Sequence, residues 1–382
     1  MKIVADENMP FAAECFGSVG RVRTIAGRAI TAEVVRQADI LAVRSITKVD
    51  EALLAGSRVK FVGTATIGVD HVDLAYLERA GIGFASAPGS NANSVAEYVV
   101  AAMLEVGRKR GIRLEGASIG IVGVGNVGSR VAAKARALGM EVVLNDPPLE
   151  RATGDGNYRP LEEALGCDFV TLHTPLTREG PDATWHLADE GFFGRIRRGA
   201  VFINTSRGAV HDTPALKEAM ASGRLGGVVL DVWEGEPVID MDLLRKVDIS
   251  TPHIAGYSYD GKVAGTAMIH EAACRHFGIE PTVRIADLLP APPVPRVEVD
   301  TAGGDEQEAA RRTVQAVYVI NRDDFNTREI AAVPPGERGA FFDGLRKNYP
   351  VRREFHNTTA IVDDEAGRLA DKLQGIGFKV GV

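Results

Sequence analysis

The 382-residue chain predicts an α/β fold of open parallel sheets. Three observations carry the prediction. Short apolar runs alternate with helical patterns through most of the length. A glycine cluster, Gly123-Val124-Gly125-Asn126-Val127-Gly128, lies between one such run and a helix. A proline cluster, Pro290-Ala291-Pro292-Pro293-Val294-Pro295, then marks off a small tail.

The first strands read as Lys2–Ala5, Ile40–Val43, Phe61–Gly63 and Gly83–Ala85, because short continuous apolar runs suit strands buried on both faces. Helices are expected at Thr31–Gln37 and Val72–Arg79. Strand–helix alternation calls for right-handed crossovers in one sheet. Ser94–Gly107 reads as a long apolar helix with Ser94 as N-cap, joining this set to a second one. The second set comprises Ser118–Val122, Glu141–Asn145, Phe169–His173, Val201–Asn204, Val228–Val232 and Ile249–Ser250. Ala255–Phe277 is helical and small-residue-rich, and is expected to return to the first domain. The expected domains are 1–93 with 255–287, then 94–254, then 296–382.

Prolines in a cluster cannot continue a helix. In the tail, Val314–Ile320, Val351–Phe355 and Ala360–Val362 read as strands. Asp324–Ala332, Gly339–Lys347 and Asp364–Gly375 read as helices, giving a small α+β domain.

Composition narrows the function classes. Forty-four basic residues against fifty-one acidic ones leave a net charge of −7, so no nucleic-acid partner is expected. Cys15, Cys167 and Cys274 form no CxxC and suit a reducing compartment. No apolar stretch approaches the ~20 residues that span a bilayer, and Met1–Asp6 does not open a signal peptide. A cytoplasmic chain without a membrane partner is expected. No His, Cys or Asp cluster has metal-ligand spacing, so no metal is expected.

The glycine cluster has the setting of a dinucleotide grip. Strand Ser118–Val122 precedes it and helix Val127–Leu138 follows. Gly123 permits the tight turn, Gly125 lets backbone approach a pyrophosphate, and Gly128 allows close helix–strand packing. Asn126 and Val127 open the helix, whose N-terminus presents N–H groups and a positive dipole end to phosphate. Asp146 ends the next strand. There a carboxylate accepts from ribose hydroxyls and repels a 2′-phosphate, favouring NAD over NADP. A plain turn aspartate before Pro147-Pro148 is the other reading.

Three further motifs follow later strands: Asn204-Thr205-Ser206-Arg207-Gly208, Asp231-Val232-Trp233-Glu234-Gly235-Glu236-Pro237, and Thr251-Pro252-His253-Ile254-Ala255-Gly256. Each stands at the carboxyl end of a parallel strand, where open α/β sheets bind ligands. Oxidation of a secondary alcohol needs a base near neutral pH, and histidine is the natural one. A neighbouring carboxylate orients the ring and stabilises imidazolium. An arginine fork holds a substrate carboxylate.

At these motifs, with His173-Thr174-Pro175-Leu176-Thr177, the chain resembles the D-2-hydroxyacid dehydrogenase family over roughly residues 40–280. The resemblance implies a Rossmann-type nucleotide-binding domain plus a flavodoxin-like substrate domain. It implies Arg207 on the substrate carboxylate, His253 moving the proton and Glu236 as its partner. Thr174, Thr205, Ser206, Arg207 and Gly256 would line the NAD cleft. Asp231 either approaches the nicotinamide or caps a strand-end turn. The remaining histidines lack a catalytic context.

The first-domain loops at Val43–Val49 and Gly63–Asp73 narrow the resemblance. Thr64-Ala65-Thr66 stands where the family more often has Arg-Xaa-Gly. With Gly256-Tyr257-Ser258 and the C-terminal extension, it points to a branch acting on a small phosphorylated hydroxy acid. Arg44, Ser45, Thr66 and Tyr257 are its candidate contacts, although such hydroxyls also stabilise their own turns. The branch implies a homodimer, with 296–382 as a dimerisation domain. Arg346 and Lys347 then either lend charge to the partner's phosphate site or form a solvated helix end. Two alternatives stay open: a dehydrogenase for 3-phosphoglycerate, and a non-enzymatic NAD-sensing corepressor on the same fold.

Overall fold

The computed structural model describes residues 1–284, 288–301, 303–363 and 367–381. It forms two compact units, Met1–Asn91 with Ser258–Ala291, and Ala92–Tyr257 with Pro292–Val382.

In the first unit, β1 (Lys2–Asp6), β2 (Arg21–Ile25), β3 (Ile40–Val43), β4 (Phe61–Thr64) and β5 (Gly83–Ala85) pair in parallel. Their order is β2-β1-β3-β4-β5, the flavodoxin-like order. The sequence reading missed β2, because RVRTI is an edge strand with little burial and lacks a solid apolar run. Helix Tyr259–Phe277 packs on β4, where a Cβ on Gly63 would lie 3.0 Å from Ile269 Cβ. This helix starts later than the expected Ala255, with Ser258 Oγ accepting from Gly261 N. Residues 285–287 of the expected return segment lie outside the described residues.

In the second unit, β6 (Ser118–Val122), β7 (Glu141–Asn145), β8 (Phe169–Leu172), β9 (Ala200–Asn204), β10 (Leu225–Leu230) and β11 (Ile249–Ser250) form a parallel sheet. The order is β11-β10-β9-β8-β6-β7, so strand order reverses between β6 and β8. That is where open α/β sheets take ligands. His173, Asp231 and Val232, expected at strand ends, fall in the loops just beyond. Helix Ala92–Arg110 is buried on nearly every side, and its buried Glu97 and Glu105 are paired with tail residues. Ser94 is not its N-cap. It sits inside the helix, its hydroxyl donating to Glu354 Oε1 at 2.7 Å.

The tail belongs to this second unit. Its strands β12 (Arg296–Glu298), β13 (Thr359–Ile361) and β14 (Lys379–Gly381) pair in parallel. Its helices include Glu306–Val317, Ile320–Arg328, Arg338–Lys347 and Arg368–Ile376. Two expected strands are corrected. Val314–Ile320 ends one helix and starts the next, because Ala309, Ala310, Thr313 and Val314 form a buried helical stripe. Val351–Phe355 is irregular, and its buried Arg352, Arg353 and Glu354 make polar contacts in place of a ladder. Residues 364–366 of the expected last helix lie outside the described residues.

The tail packs against the rest of the second unit through its apolar faces. Leu369, Leu373 and Ile376 join one core with Val131 and Ala135 of helix Asn126–Ala137. A Cβ on Gly375 would come within 2.3 Å of Ala137 Cβ. Helix Ile320–Arg328 covers β11, with Asp324 Oδ1 accepting from Ser250 N and Oγ at 2.7 Å each.

Candidate active site

The glycine loop is shaped by close approach. Gly123 has φ 88°, in the left-handed region that favours glycine. A Cβ there would lie 2.8 Å from His173 C and 2.9 Å from Thr174 N. A Cβ on Gly128 would lie 2.0 Å from Gly123 O and 3.2 Å from Ile121 Cγ2 on β6. Gly125 has nothing within 4 Å of that position. The N-terminus of helix Asn126–Ala137 therefore stays open, with Asn126 exposed and Val127 half-buried. Thr174 Oγ1 is buried without a hydrogen-bond partner. Open N–H groups and an orphaned hydroxyl fit a dinucleotide pyrophosphate.

Asp146 makes the contacts of the turn reading. Its Oδ2 accepts from Val124 N at 2.8 Å and its Oδ1 from Leu149 N at 3.0 Å. The carboxylate thus caps the next helix and fastens the glycine loop. His173 bonds Thr171 Oγ1 at 3.0 Å and Thr205 Oγ1 at 3.2 Å. Burial pushes its pKa down to about 3, so it is neutral at physiological pH.

Asn204 at the end of β9 sets the next loop. Its Oδ1 accepts from Ser206 N at 3.0 Å and Ser206 Oγ at 2.9 Å, and its Nδ2 donates to Arg207 O at 3.0 Å. Arg207 Nη1 donates to Ser206 O at 2.8 Å. A Cβ on Gly208 would lie 2.0 Å from Trp233 C. The Arg207 loop and the Glu236 loop are therefore in backbone contact.

Asp231 is buried and organises the histidine loop. Oδ1 accepts from Thr251 Oγ1 at 2.6 Å and Ile254 N at 2.7 Å, and Oδ2 from Ala255 N at 3.0 Å. Burial holds its carboxyl above the usual range, against the His253 charge and these donors. Of the two sequence readings, these contacts describe the turn cap. Gly256 lies in the same turn, closed by Tyr257 N donating to Ile254 O at 2.8 Å.

His253 has φ 59°, a rare conformation for a residue with a Cβ. Its N–H donates to Asp231 O at 2.7 Å. Its Nδ1 pairs with Glu236 Oε2 at 2.8 Å, leaving Nε2 outside the pair. Glu236 Oε1 accepts from Trp233 N at 2.8 Å. Burial alone would raise the Glu236 pKa. The His253 charge and bond, the Trp233 N–H and the Arg346 charge together hold it low.

The other candidates divide between the units. Tyr257 lies in the second, its ring 5.9 Å from that of Tyr349. Arg44, Ser45 and Thr66 lie in the first, after β3 and β4. Thr66 Oγ1 bonds Thr64 Oγ1 at 2.7 Å and Gly68 O at 2.8 Å, and Thr64 Oγ1 bonds His71 Nε2 at 2.9 Å. Arg346 is not a solvated helix end. Its guanidinium lies 5.8 Å from the Tyr257 ring of its own chain. Sequence reasoning missed the frame residue Asn204, although it opens the motif that contains Arg207. Among the described residues, no acidic, histidine or cysteine group could hold a metal. No described helix is long and apolar enough to cross a membrane.

Comparison with known proteins agrees with this geometry. The family model "D-isomer specific 2-hydroxyacid dehydrogenase, NAD binding domain" matches residues 90–255. A model described as a domain of unknown function, DUF3410, matches residues 288–377. The erythronate-4-phosphate dehydrogenase of Sodalis glossinidius is 47% identical over 99% of this chain and 98% of its own. The solved TT0316 protein of Thermus thermophilus aligns with TM-score 0.65 and 28% identity, over 74% of this chain and 99% of that one. D-lactate dehydrogenase of Aquifex aeolicus, solved with NAD and lactic acid, aligns with TM-score 0.59 and 26% identity, over 73% and 96%.

Proposed function

The chain belongs to the D-isomer specific 2-hydroxyacid dehydrogenases, and from that premise we propose that it oxidises 4-phospho-D-erythronate to 2-oxo-3-hydroxy-4-phosphobutanoate. It is an NAD-dependent dehydrogenase. The relatives named erythronate-4-phosphate dehydrogenase support this reading, and with it a step of pyridoxal 5′-phosphate biosynthesis. The observation that carries the reading is the 2.8 Å Glu236–His253 pair, held in one unit with Arg207 and the glycine loop.

Glu236 accepts from Nδ1–H of His253, which fixes the tautomer with the Nε2 lone pair available. Nε2 takes the proton of the C2 hydroxyl. NAD, when bound, supplies the hydride acceptor. Arg207 forks onto the substrate carboxylate. Gly123, Gly125, Asn126, Val127 and Gly128 receive the pyrophosphate, and Asp146 the ribose. Thr174, Thr205, Ser206 and Gly256 line the rest of the cofactor cleft. Arg44, Ser45, Thr66 and Tyr257 recognise the phosphate and hydroxyls of the substrate.

NADH formation on 4-phospho-D-erythronate and 3-phosphoglycerate, side by side, tests the substrate. The expected result is a larger kcat/KM on the former. The reverse order would assign the second acid, and no turnover on any hydroxy acid would favour the corepressor reading. For the cofactor, Asp146→Ala should weaken NAD binding and relax discrimination against NADP. An unmoved NAD/NADP ratio would leave Asp146 as a turn residue.

The chain is further read as a homodimer paired through 296–382. Phe325 and Val351 of the tail are 63% and 54% exposed, and two-fold dimers are the commonest oligomers. Phe325→Glu with Val351→Glu should yield a monomer by light scattering. A persistent dimer would place pairing elsewhere.

A further inference from the structure

The tail reaches the acid–base pair of its own chain. Helix Arg338–Lys347 places Gly339, Phe342 and Arg346 along one face, since residues three and four apart are neighbours on a helix. At one end of this stripe, a Cβ on Gly339 would lie 3.4 Å from Pro237 and 3.5 Å from Val238, which directly follow Glu236. Phe342 is fully buried. At the other end, Arg346 lies over Tyr257, and its Nε is buried without a hydrogen-bond partner. Phe341, Gly344 and Leu345 line a cavity with Pro252, which directly precedes His253. The helix therefore packs on the loop of Glu236 and shares a cavity wall with the loop of His253.

We propose that Arg346 is a positioning residue of the dehydrogenase site, a fixed cation set by the tail beside Glu236 and Tyr257. This rests on the assignment of His253 and Glu236 as the proton-handling pair. The tail then contributes to catalysis within its own chain, independently of any role in pairing subunits.

The electrostatics have a definite sign. The His253 charge holds the Glu236 carboxyl down and opposes the burial that raises Asp231. Arg346 acts on the Glu236 carboxylate too, and its positive charge also holds Glu236 ionised. Burial disfavours the charged guanidinium, but Tyr257, Glu236 and Asp343 hold its pKa up. Asp343 lies 3.8 Å from Arg346 and offsets part of its charge. Removing the cation withdraws a positive charge from Glu236, so the Glu236–His253 pair holds its proton to higher pH. The base form needed for oxidation then appears later.

The test is the pH profile of kcat/KM for oxidation by the full-length enzyme. Its acidic limb reports the free-enzyme base. Arg346→Gln should move that limb up by roughly one pH unit, while Arg346→Lys, which keeps the charge, stays near wild type. Asp343→Asn should move it the other way, and serves if Arg346→Gln does not fold. A folded Arg346→Gln that overlays wild type overturns the proposal. So does an Arg346→Lys limb shifted as far as that of Arg346→Gln, or an Asp343→Asn limb that does not move. Glu236→Gln in the same assay separates the two levels. If its limb also fails to move, the Glu236–His253 assignment falls. If it moves while the Arg346 and Asp343 variants do not, only the role of Arg346 falls.

Discussion

The two large sheets share a strand order but not a way of holding their loops. Counted from its own first strand, each runs 2-1-3-4-5, and the second adds a sixth strand. Loops leave the carboxyl ends in both. In the second sheet, buried side-chain acceptors hold the loops: Asn204 sets the arginine loop from within, and Asp231 ties the histidine loop to the end of β10 through three donors. In the first sheet, hydroxyls and backbone groups hold the loops without a buried carboxylate clamp. Thr64, Thr66 and His71 bond to one another, and Thr47 Oγ1 donates across to Gly27 O at 3.0 Å. Topology is thus a shared platform, and the site depends on what is built above it. Charged groups that must keep a fixed geometry receive a cross-linked frame, because preorganised dipoles act without reorganising during reaction.

The largest expected effect sharpens the contrast. His253→Ala should lower kcat by ~10²–10⁴-fold while leaving the NAD dissociation constant nearly unchanged. Steady-state turnover and a binding titration check both halves, and near-normal turnover would remove His253 from the chemistry.

Asp231→Asn asks whether the frame matters in itself. An amide offers one acceptor oxygen where the carboxylate has two, so a buried donor loses its partner, at about 1–3 kcal/mol. We expect a lower Tm together with a lower kcat. A lower Tm with unchanged kcat would show that the histidine loop keeps its geometry without the clamp.

Thr66→Val probes the self-contained loop. It should cost only about 1 kcal/mol of stability and act mainly on KM. A loss of kcat as large as that of Asp231→Asn would erase the distinction between the two sheets.

The smallest effect is a pH slope. Burial pushes His173 to about 3 and His211 to about 4, against an ordinary 6.5. Both bind protons on unfolding but not when folded, so stability is full above pH 6.5 and falls as pH drops toward 4. Melting curves across that range should show the slope, and His211→Asn should flatten it. An unchanged slope would mean that His211 is protonated in the fold.

Much of this was legible in sequence because the physics is local. Solid apolar runs marked the buried strands, and glycines marked points where a Cβ has no room. Motifs at strand ends marked the loops that carry Arg207, Glu236 and His253. What escaped was non-local. β2 is too exposed to show an apolar run, and Val314–Ile320 looked strand-like because its helical stripe starts earlier, at Ala309. Nothing in the tail's own sequence says that Ile376 packs on the helix after the glycine loop. Nor does it say that Arg346 lies beside a carboxylate more than a hundred residues earlier. Such pairings depend on which faces meet after folding.

The covering of β11 has a consequence for the life of the chain in a crowded cell. An open sheet ends in a strand with unpaired backbone groups, which can template pairing with another molecule. Here that last strand is only two residues long, and the Ser250 N–H is taken by Asp324 of the tail. A nascent chain that has made the sheet but not yet the tail still carries a raw edge. The tail, made after the sheet, therefore acts as a stopper, and a chain cut short before Ile320 should be lost to aggregation before its chemistry is ever tried.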